Sequence, residues 1–135
     1  MRRPEPGTGP APGARPDDPA EFALVVRVPA PDVVLVAVIG ELDGATAPAA
    51  RRCVQEQVGA RPGHVIVDLS RTTFFSACGV ELLVTTQRLA DRAGVGLHLV
   101  SAVDHRPVHR VLTLTGVVDS FRVHGTVPGV LASLS

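Results

Sequence analysis

The sequence predicts an α/β fold: a single domain in which helices pack on a mixed, mostly parallel sheet of about five strands. Short apolar segments rich in β-branched residues alternate with segments whose apolar residues recur every three to four positions. Turns rich in glycine and proline separate these segments. Repeated strand–helix–strand units imply crossover connections, and therefore parallel neighbours. A length of 135 residues suits one domain.

The first segments predict an antiparallel hairpin followed by a helix. Residues 22–28 and 33–39 are apolar strands, and a connection of about four residues makes them a hairpin. We expect residues 40–44, with two glycines, to end the second strand. The next helix tolerates Pro48 in its first turn and ends at Gly59. Its apolar positions follow helical spacing: Ala50, Cys53, Val54 and Val58.

The remaining segments predict the parallel part of the sheet. The expected order along the whole chain is ββαβαβαβα. A loop from Ser70 leads into the second helix, whose end is marked by Gly94. The predicted elements are a strand at 65–69, a helix at 77–93, a strand at 95–100, a helix at 107–114 closed by Gly116, an edge strand at 119–123 and a last helix at 128–134.

The amino-terminal segment and the overall composition limit the class of protein. Residues 1–20 hold six of the twelve prolines and predict a disordered tail, so we place the domain at residues 21–135. A net charge of zero, without lysine, and only four aromatic residues give no basic face or stacking platform for nucleic acid. No segment approaches the roughly 18 apolar residues that span a membrane. Two cysteines form no disulfide framework or metal motif, so we expect a cytoplasmic protein.

Motifs of common catalytic sites are missing from the sequence. It contains no glycine-rich phosphate loop, no G-x-S-x-G elbow and no H-E-x-x-H motif. We therefore expect no enzymatic activity, no cofactor and no metal. His105 and His109 are four residues apart, as zinc ligands can be, but Arg106 and Arg110 would repel a cation, so a solvated helix face is favoured.

The candidate functional segment is the strand, loop and helix start at residues 65–83. Free amide groups at a helix start favour negative charge, and Ser76, Ala77 and Cys78 lie there. Ser76 is either a helix cap or a phosphoacceptor, with the cap favoured. Cys78 is either a packing residue or a reactive thiol, with packing favoured. Asp43 follows a neighbouring strand, so we expect it at the same sheet edge as Ser76.

Three short motifs, in this order, resemble the STAS domain and, within it, bacterial anti-sigma factor antagonists. They are Gly-Glu-Leu-Asp at 40–43, Val-Asp-Leu-Ser at 67–70 and Phe-Phe-Ser-Ala-Cys-Gly-Val at 74–80, and the resemblance covers residues 22–134. It implies a non-enzymatic regulator that binds an anti-sigma factor, which is also a serine kinase with an ATP-binding fold, and so controls sigma-factor-dependent transcription. The kinase phosphorylates a serine at the start of the second helix, and a serine phosphatase resets it. The implied partner-binding residues are Asp43, Ser76, Ala77, Cys78, Gly79 and Glu81.

The sequence departs from the family at the phosphorylated position. The family motif is Asp-Ser-Ser/Thr-Gly-Leu, and its acceptor serine falls on Ala77. Three interpretations follow: Ser76 accepts phosphate one position early, the protein is a permanently active antagonist, or it is a divergent STAS module that senses a ligand or acts as a scaffold in another signalling or lipid-transport complex. The last two together are favoured, because phosphoryl transfer depends on positioning.

Overall fold

A computed structural model describes residues 22–101, 106–114 and 121–134, and its mixed, mostly parallel sheet confirms the predicted α/β fold. The predicted tail at 1–20 and Gly116 lie outside the described residues. The described strands are β1 (Ala23–Ala30), β2 (Val33–Leu42), β3 (His64–Asp68), β4 (Thr72–Phe75), β5 (Gly96–Val100) and β6 (Arg122–His124). The described helices are α1 (Ala47–Gly59), α2 (Ala77–Ala93), α3 (Arg106–Leu114) and α4 (Val127–Ser133).

The sheet has the order β1-β2-β3-β5-β6, and β4 pairs with β2 outside this path. β1 and β2 are antiparallel, which confirms the predicted hairpin. The other pairs, β2 with β3, β3 with β5, β5 with β6 and β2 with β4, are parallel. The carboxyl ends of β2 and β4 therefore lie at the same edge of the sheet.

The second strand ends within residues 40–44, as predicted, but at Leu42 and not at Ile39. β2 continues through Gly40 to Leu42, because Gly40 has a φ of 97° and bends the strand instead of ending it. The register shifts at this point, between Gly40 and Glu41. The bent end pairs with β4, where the sequence had predicted only a loop, and this pairing raises the sheet from five strands to six among the described residues.

The two faces of the sheet carry separate apolar clusters. Side chains alternate along each strand, so neighbouring residues enter different clusters. The first helices α1, α2 and α3 cover one face, against Val36, Val67 and Leu99 among others. The short helix α4 covers part of the opposite face, which we call the α4 face, where Val130 packs into the cluster formed by Val33, Leu35, Ile66 and Val100.

The helices begin and end close to their predicted positions. α2 begins after Ser76 and ends at Gly94, whose φ of 73° is the left-handed conformation that favours glycine. Pro48 lies in the first turn of α1, as expected. The long α2 packs against α1 and β5.

Candidate functional site

The pairing of β2 with β4 brings two polar loops side by side. Leu42 is paired with Phe75, and the backbone N–H of Ser76 donates to the Leu42 carbonyl at 3.1 Å. The next residue after Leu42 is Asp43, so the Asp43 loop and the start of α2 leave the sheet together. We call the surface formed by residues 43–46, Phe74, residues 76–79 and Glu81 the β2–β4 edge.

The Asp43 loop is held by its own hydrogen bonds. Asp43 Oδ1 accepts from the backbone N–H groups of Ala45 at 2.9 Å and Thr46 at 3.1 Å. Thr46 Oγ1 accepts from the Asp43 N–H at 3.0 Å and donates to the Glu41 carbonyl at 2.7 Å. These contacts satisfy the backbone before α1 begins, and they give the loop a fixed shape in the absence of a partner.

Ser76 is the N-cap of α2, which confirms the favoured interpretation of this residue. Its hydroxyl accepts from the Cys78 N–H at 3.2 Å, and its φ of −103° and ψ of 179° are the extended backbone expected of an N-cap. The Ser76 side chain is half-buried, whereas Ala77 beside it is exposed. The Ser76 hydroxyl is therefore already bonded to the helix backbone, and the exposed position beside it, Ala77, carries no hydroxyl.

Gly79 and Cys78 fit the start of α2 against the two loops. A Cβ on Gly79 would lie 2.6 Å from Phe75 Cε1, so the aromatic ring of Phe75 fits only because this residue is glycine. The Sγ atom of Cys78 lies 4.0 Å from the Cβ position of Gly44, which places the half-buried thiol under the Asp43 loop. Glu81 lies on the exposed side of α2, one turn further along.

Phe74 is a surface residue that the sequence interpretation missed. Its side chain is 50% exposed, whereas that of Phe75 is 3% exposed, because successive strand residues face opposite ways. It is paired with the exposed Glu41 of β2, next to the Asp43 loop. The doublet Phe74-Phe75 was the available signal, since a strand through both must turn one ring outward.

The residues considered for enzyme chemistry do not form a catalytic cluster where the structure describes them. The described part of the chain holds no group of three histidine, cysteine or acidic side chains placed to bind one metal ion. His105 lies outside the described residues, and so does the side chain of His109. Burial, and then the nearby Glu56 carboxylate, raise the pKa of the Cys53 thiol, which keeps it in the less reactive protonated form. No described helix is long and apolar enough to cross a membrane.

Comparison with known proteins identifies the family. The STAS domain model matches residues 25–129. The anti-sigma-F factor antagonist RsfB of Mycobacterium tuberculosis is 27% identical over 103 residues, which are 76% of this chain and 81% of RsfB. A crystal structure of an anti-sigma factor antagonist from Mycobacterium paratuberculosis is 25% identical, with a TM-score of 0.77 over 86% of this chain and 96% of that protein. The Bacillus protein SpoIIAA in its unphosphorylated form shares the fold at 17% identity, with a TM-score of 0.68 over 83% of this chain and 96% of SpoIIAA. The chain belongs to the STAS domain family.

Proposed function

We propose that this protein is an anti-sigma factor antagonist that uses the β2–β4 edge to capture an anti-sigma factor, itself a serine kinase with an ATP-binding fold. Capture releases the sigma factor, and the protein thereby controls transcription without catalysing a reaction. The observation that carries the proposal is the parallel pairing of Leu42 with Phe75, which joins the Asp43 loop and the first turn of α2 into one surface. The antagonist names of RsfB and of the Mycobacterium paratuberculosis protein support it.

The chemistry of the edge fits a protein partner. Phe74 offers a large exposed apolar side chain that is paired across the strands with the exposed acidic residue Glu41, and the acidic residue Glu81 is exposed on α2. An aromatic anchor with a polar border is the usual make-up of an energetically dominant contact. The partner that this edge fits has an apolar pocket bordered by basic side chains. The internally bonded Asp43 loop needs little ordering on binding, which favours affinity.

The same edge supports a proposal about regulation. A partner kinase finds no hydroxyl at Ala77, and the half-buried hydroxyl of Ser76 already accepts the Cys78 N–H. In this proposal the capture is permanent with respect to phosphorylation, and a serine phosphatase has nothing to remove. SpoIIAA, by contrast, is known in a phosphorylated form. A phosphate at position 77 would add a charge of about −1.5 to −2 at the start of α2, and the cost of desolvating that charge against the apolar pocket would weaken docking.

The test combines binding with phosphorylation by the partner kinase. Purified anti-sigma factors are titrated with wild type, Phe74→Ala and Val28→Ala, where Val28 is a 68% exposed valine on β1, beside the amino end of β2. We expect Phe74→Ala to weaken binding about tenfold or more and Val28→Ala to leave it unchanged. Equal binding by all three would place the interface elsewhere, and binding to no anti-sigma factor would favour a ligand-sensing or scaffold module.

The phosphorylation arm uses Ala77→Ser with ATP and mass spectrometry. We expect the wild type to take up no phosphate and to remain bound, whereas Ala77→Ser takes up one phosphate and is released. The double variant Ser76→Ala/Ala77→Ser locates the modified residue. Phosphate on Ser76 of the wild type, followed by release, would contradict permanent capture while leaving the antagonist role intact.

A further inference from the structure

Three histidines from three neighbouring strands form a row on the α4 face. Nδ1 of His64 on β3 lies 3.1 Å from Nε2 of His98 on β5, and Nδ1 of His98 lies 3.4 Å from Nε2 of His124 on β6. The ring centroids are 5.2 and 5.4 Å apart. His98, in the middle, is 4% exposed. The row lines an open cleft of about 700 Å³ next to the carboxyl-terminal end of α4.

A glycine makes room for the row. His64 is paired across the sheet with Gly96, and His98 lies two residues further along β5. A Cβ on Gly96 would lie 2.6 Å from His64 Nδ1 and 3.4 Å from His98 Nε2. Because Gly96 has no side chain, the His64 ring reaches diagonally over it to His98. The row therefore depends on this strand register and on that glycine.

The geometry of the row limits how many protons it can hold. Each of the two contacts joins two ring nitrogens, and such a contact holds one proton, whichever ring donates it. The neutral row fills both contacts and one of the two outer nitrogens, His64 Nε2 or His124 Nδ1. One added proton fills the other outer nitrogen. A second added proton must put two N–H groups face to face, which breaks a contact.

The residues that line this cleft include no carboxylate to compensate the positive charge of the protonated row. Arg122 of β6, which is paired directly with His98, adds a further positive charge, and the cleft is also lined by Ser133 of α4 and by Leu134, which follows this helix. Asp32 lines a neighbouring cleft with His64, but its Oδ1 accepts the Gly63 N–H at 2.8 Å. Burial first, and then His64, His124 and Arg122, lower the pKa of His98 from 6.5 to about 4.

The weak part of this face is the unit formed by β6 and α4. β6 has three residues and lies at the end of the strand order, and the 3.4 Å contact to His124 is the longer of the two. α4 follows directly, has seven residues and buries one of them, Val130. Few contacts hold this unit, so it can open without unfolding the rest of the chain.

We propose that the histidine row is an acid-sensitive latch: a second added proton separates His124 from His98, and β6 and α4 leave the sheet. Opening uncovers the apolar residues beneath α4, which are Val33, Leu35, Ile66 and Val100. The histidine row lies apart from the β2–β4 edge, so the proposed latch does not depend on anti-sigma factor binding.

The direction of the pH effect follows from the protonation of His98. The closed form binds this proton with a pKa of about 4 and the opened form with an ordinary value near 6.5. The latch is therefore fully effective above about pH 6.5 and is lost as the pH falls toward 4. Between about pH 7.5 and pH 5, the equilibrium constant for opening is expected to rise roughly 30-fold.

Hydrogen exchange of the full chain at these two pH values tests the latch, after correction for the intrinsic exchange rates. We expect the protection of amides in β6 and α4 to fall roughly 30-fold relative to that of amides in α2. An equal change in both regions, or no change in either, would overturn the proposal.

Variants distinguish the pH response that is due to the histidine row from other effects of low pH. His98→Gln removes the central titrating ring while keeping a polar side chain, and we expect its response to shrink to about threefold or less. His109→Gln changes a histidine of α3, a helix that packs on the other face of the sheet, and should keep the wild-type response. Gly96→Ala keeps every histidine but displaces the His64 ring. We expect NMR titration to give His98 a pKa closer to the ordinary histidine value in this variant than in the wild type. A wild-type response in His98→Gln, or ordinary titration of His98 in the wild type, would overturn the latch.

Discussion

At the scale of single residues, the contact between Gly79 and Phe75 decides how α2 meets the sheet. Phe75 is buried and ends β4, and its ring occupies the space that a side chain on Gly79 would need. Ser76, between the two elements, closes the turn by capping the helix. The Phe75 ring, the Ser76 hydroxyl and the absence of a Cβ on Gly79 therefore fix where β4 ends and where α2 begins.

Gly79→Ala should destabilise the protein by about 1–3 kcal/mol, because overpacking against the Phe75 ring outweighs the better helix propensity of alanine. Chemical denaturation measures the free energy of unfolding. Gly59→Ala, at the end of α1 with no atom within 4 Å of its Cβ position, is the matched control and should be neutral or slightly stabilising. Equal effects of the two substitutions would show that the ring can move aside.

At the scale of elements, β4 turns two separate loops into one surface. Three of its four residues pair with the bent end of β2, and the buried Thr72 hydroxyl donates to the Val38 carbonyl at 2.8 Å. The backbone N–H of Gly40 donates to the Arg71 carbonyl at 3.1 Å just before this strand. The bend at Gly40 and the bond from Thr72 together set where Asp43 and Ser76 lie.

Thr72→Val should cost about 1–2 kcal/mol of stability, because it keeps the shape of the side chain but removes the hydrogen bond to a buried carbonyl. Thr73→Val, one residue along and exposed, is the matched control and should change the unfolding free energy by less than about 0.5 kcal/mol. Denaturation of both variants provides the measurement. If Thr72→Val were as stable as wild type, the β2–β4 pairing would not depend on this bond.

The elements also show what a sequence can and cannot predict here. The long amphipathic helices and the apolar strands were predicted because their periodicity is local. β4 was missed because four residues, two threonines and two phenylalanines, give too short a pattern, and Gly40 was taken to end a strand that it only bends. The histidine row was invisible, since its members are 34 and 26 residues apart and only the strand register brings them together.

At the scale of the whole molecule, the sheet separates two surfaces. The β2–β4 edge rests on the larger cluster, in which Leu42, Phe75 and Val80 pack with the first three helices. The histidine row and α4 rest on the smaller cluster on the other face. A substitution that weakens the packing of one cluster should therefore leave the surface that rests on the other cluster unchanged.

Val130→Ala tests this separation, since Val130 is the buried residue of α4. We expect the variant to lower the unfolding free energy by about 1–2 kcal/mol and to increase exchange in α4, while its affinity for the anti-sigma factor stays at the wild-type value. Ala132→Ser, at an exposed position of the same helix, is the control. A parallel loss of affinity would mean that the two faces are coupled.

The exposure of Ala77 has a consequence for the evolution of this protein. The cap of α2 comes from Ser76 and the close packing from Gly79, so the fold places no demand on the side chain between them. Exchange of that alanine for serine costs only about 0.5 kcal/mol of helix propensity. Under the proposed function, a change of this single codon would add or remove the hydroxyl on which control by phosphorylation depends, while the architecture stays unchanged.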